Sequence, residues 1–332
     1  MLYRPCLPTD VKLDPTGGDR AAGGPVPSSP DQACPHCGSL DLSTLAGGRT
    51  WTYAGEQCGL RGCGACGGQF SHPLPSPRLL ERLYGQDFEY GWYRDHYPAK
   101  LIDAVARVFQ YRRLGVLPGR RLLDFGGGLG YFARAARLFG YQAVTLDPML
   151  DAAGAARQPL ADGGFDVAVL HHVLEHAPRP REVLDRVGGL LAPSGTLVLA
   201  VPNAASLGYR QRGVDFVWSQ PPFVHIHHFT ARGLRSLLAA AGFEVLAEHY
   251  FERWDASTLA DVRLPRLFAR FDGRWKASRW PYLAAQVASA ARFAALCATP
   301  VVSSVQPSER PELLIVARPG GRRPASARGW AS

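Results

Sequence analysis

The sequence predicts an open α/β fold, a mostly parallel sheet with helices on both faces, preceded by a small metal-binding ribbon. Three observations carry that expectation. Residues 122–148 read LLDFGGGLGYFARAARLFGYQAVTLDP, a strand, a glycine-rich turn, a helix and a second strand. Residues 165–203 read FDVAVLHHVLEHAPRPREVLDRVGGLLAPSGTLVLAVPN, with short apolar runs of the kind found in strands buried on both faces. Ahead of both lie two C-x-x-C pairs, Cys34 with Cys37 and Cys63 with Cys66.

In the first block the apolar pair Leu122 and Leu123 ends at Asp124, followed by Gly126, Gly128 and Gly130. A helical segment runs to Gly140, a suitable C′ stop, and the apolar run 143–146 ends at Asp147. Ligands of open α/β sheets bind beyond the carboxyl ends of the strands. A dinucleotide fingerprint would need G-x-G-x-x-G with a pyrophosphate on the helix N-terminus. Here the spacing is G-x-G-x-G behind an acid, and a carboxylate at Asp124 repels a phosphate but suits a cation. Asp147 is placed to take a ribose hydroxyl pair.

In the second block residues 167–170 are a wholly apolar strand. Val183, Leu184, Val187, Leu190 and Leu191 share one side of a helix. Residues 193–195 read as a turn, and 196–201 as a further strand. His172, Glu175 and His176 fall at i, i+3 and i+4, one face of any helix starting there, with Glu175 favoured by the helix dipole.

The 122–148 segment resembles motif I of the class I S-adenosylmethionine-dependent methyltransferases. The FDV…VLEH…L.P.G.L.L..PN pattern is similar to that family's fourth and fifth strands. The run 225–230 (HIHHFT), then Leu234, Leu237, Leu238 and Phe243, resembles its later helix and sixth strand, and PELLIVA at 311–317 its antiparallel seventh. The resemblance covers about residues 80–318 and implies a Rossmann-like class I methyltransferase sheet. It implies S-adenosylmethionine as methyl donor, with Asp124 anchoring the methionine end beside Gly126, Gly128 and Gly130. Asp147 would hold the ribose with Pro148 beside it, and His171 would follow the fourth strand next to the methionine portion. The third strand is abbreviated, leaving Gln158, Pro159 and Leu160 as adenine contacts. For an acceptor hydroxyl, histidine is the natural base, because its pKa lies near neutrality. In similar members the His-rich element faces the acceptor, which makes His225 and His228 the preferred pair and His176 a third candidate.

The two knuckles, 25 residues apart, let Cys34, Cys37, Cys63 and Cys66 surround structural Zn²⁺ as four thiolates. Seven cysteines without a secretion signal argue for reduced thiols instead of disulfides. Cys58 is a possible substitute ligand, and His36 a bystander inside the first knuckle. A zinc ribbon over 31–76, a proline-bounded turn and a short helix ending at Gly85 resemble an N-terminal module of bacterial glycan and natural-product methyltransferases. The methyltransferase domain then spans 77–318, with 251–306 as an insertion over the acceptor site.

The remaining composition bounds the class. At 332 residues and 46% hydrophobic content the chain can bury a large core. No stretch reads as a signal peptide or membrane span, so a cytoplasmic location is expected. The net charge of +9 is spread, mostly as arginine, without a dense basic arm, which reads against nucleic acid as a partner. Residues 1–30, with six prolines, and 319–332 read as disordered tails. The expected acceptor is a small molecule, a sugar or glycan precursor or a secondary metabolite, methylated on oxygen or carbon. An RNA methyltransferase with a zinc ribbon, and a non-catalytic ribbon scaffold, are the alternatives. The oligomeric state is not legible.

Overall fold

The computed structural model describes residues 12–14, 33–45, 48–84, 97–147, 164–213, 222–251, 287 and 307–320. Five strands come first: β1 (Lys12–Asp14), β2 (Leu42–Thr44), β3 (Thr50–Tyr53), β4 (Glu56–Cys63) and β5 (Gln69–His72). The β3–β4 hairpin closes on Ala54 and Gly55, both with positive φ, as a two-residue hairpin loop requires. Helix α1 (Pro77–Arg82) starts with proline at its first turn, and the Ser76 hydroxyl accepts from Leu79 N–H at 3.1 Å.

The second sheet is built from β6 (Arg121–Phe125), β7 (Gln142–Leu146), β8 (Phe165–His171), β9 (Leu191–Pro202), β11 (Phe243–Phe251) and β12 (Glu312–Pro319). Between them lie α2 (Tyr97–Arg113), α3 (Tyr131–Leu138), α4 (Pro180–Leu190), α5 (Leu207–Arg212), the two-residue strand β10 (His227–His228) and α6 (Ala231–Ala240). The strand order is β11-β12-β9-β8-β6-β7, with β7, β6, β8 and β9 parallel and β12 antiparallel to both neighbours.

Strand alternation sends successive side chains to opposite faces. Leu123, Ala168, Leu170, Leu197, Leu199 and Ile315 pack with Leu184 of α4 and Leu234 and Leu238 of α6. Leu122, Val167, Val169, Val198 and Leu314 pack with Val108 of α2 and Phe132 and Ala136 of α3 on the other face. Because Leu199 is wholly buried, Leu199→Ala is expected to cost about 2–5 kcal/mol, read from urea unfolding. Residues 193–195 do not end one element and start another. They lie inside β9, where the pairing jumps from Phe165↔Leu191 to Val167↔Thr196 and residues 192–195 bulge between.

The chain leaves β6 toward β7 on one side, and β8 pairs on the other side of β6. That reversal is a topological switch point, and ligands of open α/β sheets bind beyond the strand ends at such a point, here Phe125 and His171. No helix among the described residues is long and apolar enough to cross a membrane.

Candidate functional site

At the end of β6 the backbone turns through Gly126, whose N–H donates to Leu146 O at 2.7 Å. Its φ is +72°, and a Cβ there would lie 2.6 Å from the Val173 side chain, so the loop after β8 presses directly on this turn. At Gly128 a Cβ would meet nothing within 4 Å, so the loop presents open backbone on that side. The Gly128 N–H donates to Asp147 Oδ2 at 2.8 Å, which ties the end of β7 to the loop.

Asp124 is 2% exposed, and its Oδ2 accepts from Ala133 N–H at 3.1 Å. Burial pushes its carboxyl up to about 7, against the lowering effect of that bond and with Asp147 adding repulsion. A cation brought beside it would reverse the shift. The donor set suits the positive end of S-adenosylmethionine: a buried carboxylate, bare loop backbone and a second carboxylate at the next strand end.

After β8 the chain turns at His172, a non-glycine residue at φ +55°. Only a single 3-10 turn (Leu174–His176) follows, so His172, Glu175 and His176 do not share the helical face their spacing suggested. The His172 ring is spanned instead by two carboxylates: Nδ1 lies 2.9 Å from Glu175 Oε1 and Nε2 3.2 Å from Glu312 Oε2. Glu312 in turn accepts from the Arg107 guanidinium of α2. Both glutamates are fully buried. Burial opposes their ionisation, yet His172 beside Glu175, and Arg107 beside Glu312, hold both below the usual carboxylate range. His171 packs its ring 4.5 Å from that of His172.

His176 Nδ1 lies 2.7 Å from Val224 O, which can only accept, so Nδ1 carries the hydrogen and Nε2 the lone pair. The Tyr84 hydroxyl lies 3.1 Å from the same Nδ1. The His225 ring centroid is 4.8 Å from that of His176 and 6.3 Å from that of His228. His228 is buried too, and burial pushes it down to about 3. The structure therefore brings His176, His225 and His228 into one cluster, joined to the glycine loop through Val173.

The four cysteines also converge. Cys34 and Cys66 Sγ are 3.7 Å apart, Cys37 and Cys63 Sγ 3.6 Å, and all four sulfurs lie within 4.8 Å, a set able to hold a metal ion. Burial pushes the Cys66 thiol up to about 11. Cys58 is not among them: it packs with Trp51 and Tyr53 in a separate core. The cysteine centre and the histidine cluster are neighbours, because β10 pairs antiparallel with β5, His227 opposite Phe70. The Thr230 hydroxyl donates to Cys66 O at 2.7 Å, and Arg232 to Ala65 O at 2.8 Å. His36, expected to be a bystander, is no part of the cysteine set, but its Nε2 lies 3.1 Å from His227 Nδ1.

Arg107, Glu312 and Thr230 escaped the sequence reading. Each meets the site across a long separation and carries no local spacing signal. Pro148, Gln158, Pro159, Leu160 and the proposed insertion after residue 251, apart from residue 287, lie outside the described residues.

Comparison with known proteins gives the family. A family model described as a methyltransferase domain matches residues 93–248. An uncharacterized methyltransferase of Mycobacterium bovis (strain BCG / Pasteur 1173P2) is 30% identical over 181 residues, 47% of this chain and 68% of that one. A second, from Mycobacterium ulcerans (strain Agy99), is 38% identical over 99 residues, 25% of this chain and 39% of the relative. Among solved structures, an S-adenosylmethionine-dependent methyltransferase from Mesorhizobium loti is 19% identical, with a TM-score of 0.39, covering 65% of this chain and 99% of that one. A parallel sheet with an acid–glycine loop–acid arrangement at its switch point, together with a matching family model and a 30% identical relative of which this chain covers 68%, makes the chain a member of the class I S-adenosylmethionine-dependent methyltransferases.

Proposed function

We propose that the chain methylates a small-molecule acceptor, a sugar or glycan precursor or a secondary metabolite, at oxygen or carbon. The observation that supports this reading is the Val173 side chain, which a Cβ on Gly126 would meet at 2.6 Å and which precedes His176 by three residues. S-adenosylmethionine supplies the methyl group on a sulfonium, so the protein's task is to orient two partners and receive a proton. Asp124 holds the cationic methionine end, with Gly126, Gly128 and Gly130 passing beside it and His171 at the neighbouring strand end. Asp147 holds the ribose, its carboxylate aligned by the Gly128 N–H. The His176–His225 pair receives the acceptor, with the His176 Nε2 lone pair presented by the bond from Nδ1 to Val224 O. His228, buried and held neutral, lies beside His225.

Zinc fills the cysteine centre on this reading. A tetrahedron with Zn–S bonds of about 2.3 Å has sulfur–sulfur edges of about 3.8 Å. The two separations of 3.6 and 3.7 Å match that edge. The ribbon then serves as the wall on which the histidine strand is built, and carries no chemistry itself.

The test is methyl transfer from labelled S-adenosylmethionine to a panel of sugar nucleotides, glycosides, phenolic metabolites and bulk RNA. We expect turnover with a small molecule and none with RNA. His176→Gln should lower that turnover by about 10²–10⁴-fold while binding of S-adenosylhomocysteine is retained. Transfer to RNA alone, or full turnover by His176→Gln, would sink this reading.

A further inference from the structure

We propose that Glu175 is a positioning residue for His176, a closed-off carboxylate that stabilises the imidazolium formed when His176 takes a proton from the acceptor. The inference rests on the reading above, in which His176 faces the acceptor. Glu175 Oε1 lies 4.0 Å from His176 Nε2, the atom that carries the lone pair. Glu175 is 0% exposed, whereas the His176 side chain keeps 27% of its surface open. An acceptor can therefore reach the ring but not the carboxylate.

The way Glu175 is held suits it to this part. Its Oε1 faces His172 Nδ1 at 2.9 Å, the other nitrogen of that ring faces Glu312 Oε2 at 3.2 Å, and the Arg107 guanidinium stands behind Glu312. Burial opposes ionisation of Glu175, yet His172 beside it holds the carboxyl below the usual range. Its Oε2 has no hydrogen-bond partner among the described residues. A buried anion with one oxygen unserved favours a positive charge formed next to it.

His176 is the complement. Burial holds it below its ordinary value of 6.5, against the raising effect of Glu175, so the resting ring is a neutral base. Facing it are Glu175 and His172 from its own turn, Tyr84 just past α1 with its hydroxyl 3.1 Å from Nδ1, and His225, with His228 beyond. Of these described groups Glu175 alone is an anion. The proton of an acceptor hydroxyl passes to His176 Nε2 as the oxygen takes the methyl group, and the electron pair of the broken carbon–sulfur bond stays on sulfur. The proton then leaves to water from the open edge of the ring. Attraction between Glu175 and the ring arises only once the ring is charged, so it favours the transferred state over the resting one.

The experiment is a pH titration of the full-length protein labelled with ¹⁵N-histidine, read by long-range proton–nitrogen correlation. The His176 signals are identified by their loss in His176→Gln. Glu175→Gln removes the charge and keeps the shape. We expect its His176 midpoint to fall further below 6.5, by about tenfold or more in proton affinity. A merely structural Glu175 would give the opposite sign, because a loosened turn lets water reach the ring and relieves the burial that holds it down. An unchanged or raised midpoint in Glu175→Gln overturns the proposal, and binding of S-adenosylhomocysteine shows that the variant is folded. If it does not fold, Glu175→Asp, which draws the charge back from the ring, decides alone: a fall supports the proposal and no fall overturns it. The titration needs no acceptor. Failure to methylate any small molecule would leave it readable, so the two readings fail separately.

Discussion

Asp124→Ala is expected to weaken S-adenosylhomocysteine and S-adenosylmethionine binding by about a hundredfold or more, close to 3 kcal/mol, in calorimetric titration. Asp147→Ala should do the same through the ribose end. The loss is large because Asp124 is 2% exposed, so its bonds to the ligand compete little with water. Binding should also depend on pH. Burial raises the carboxyl to about 7, and a cationic ligand needs it ionised, so affinity is weaker at pH 6 than at pH 8. Stability runs the opposite way. The folded chain keeps this proton between about pH 4 and 7, where the unfolded chain has lost it. The contribution is therefore fully present below about pH 4 and is lost as pH rises through 7. Asp124→Asn should flatten that stability trend and remove the pH dependence of binding together. Undiminished affinity in Asp124→Ala would mean that the donor sits elsewhere.

Loss of the zinc proposed for the cysteine centre, by chelation or by Cys63→Ser, should destabilise the N-terminal sheet by several kcal/mol and lower the unfolding temperature. The effect should spread in one direction. Thr230 and Arg232 donate to the carbonyls of Cys66 and Ala65, and β10 leans on β5. Hydrogen exchange should therefore rise in residues 225–230. The Asp124–Gly128–Asp147 loop makes its bonds within the parallel sheet, and S-adenosylhomocysteine binding should survive. Exchange at 225–230 that does not respond to chelation would show that the ribbon supports nothing beyond itself.

How much of this was legible varies with the range of the interaction. The parallel sheet could be read because β8 and β9 are apolar on both faces, and a strand's two faces are encoded within a few residues. The acid–glycine–acid loop could be read because its residues lie on consecutive elements. The helical face drawn through His172, Glu175 and His176 was lost because the segment makes only a 3-10 turn, and Glu312 competes for the His172 ring. Cys58 was a plausible ligand by spacing alone. Its side of β4 faces Trp51, and that pleat direction follows from pairing with β3.

Sequence by itself determined the fold class, the acid–glycine loop from Asp124 to Asp147 and the four cysteines, because each is set by short-range spacing and strand or helix periodicity, and its motifs carried the resemblance to the family. Tertiary structure alone decided which histidines meet, that β10 closes the ribbon's sheet, and that Arg107 and Glu312 stand behind His172 and Glu175. Those contacts join residues up to about two hundred positions apart. Their energy comes from burial and hydrogen bonding in a shared interior, which leaves no periodicity in the chain to read.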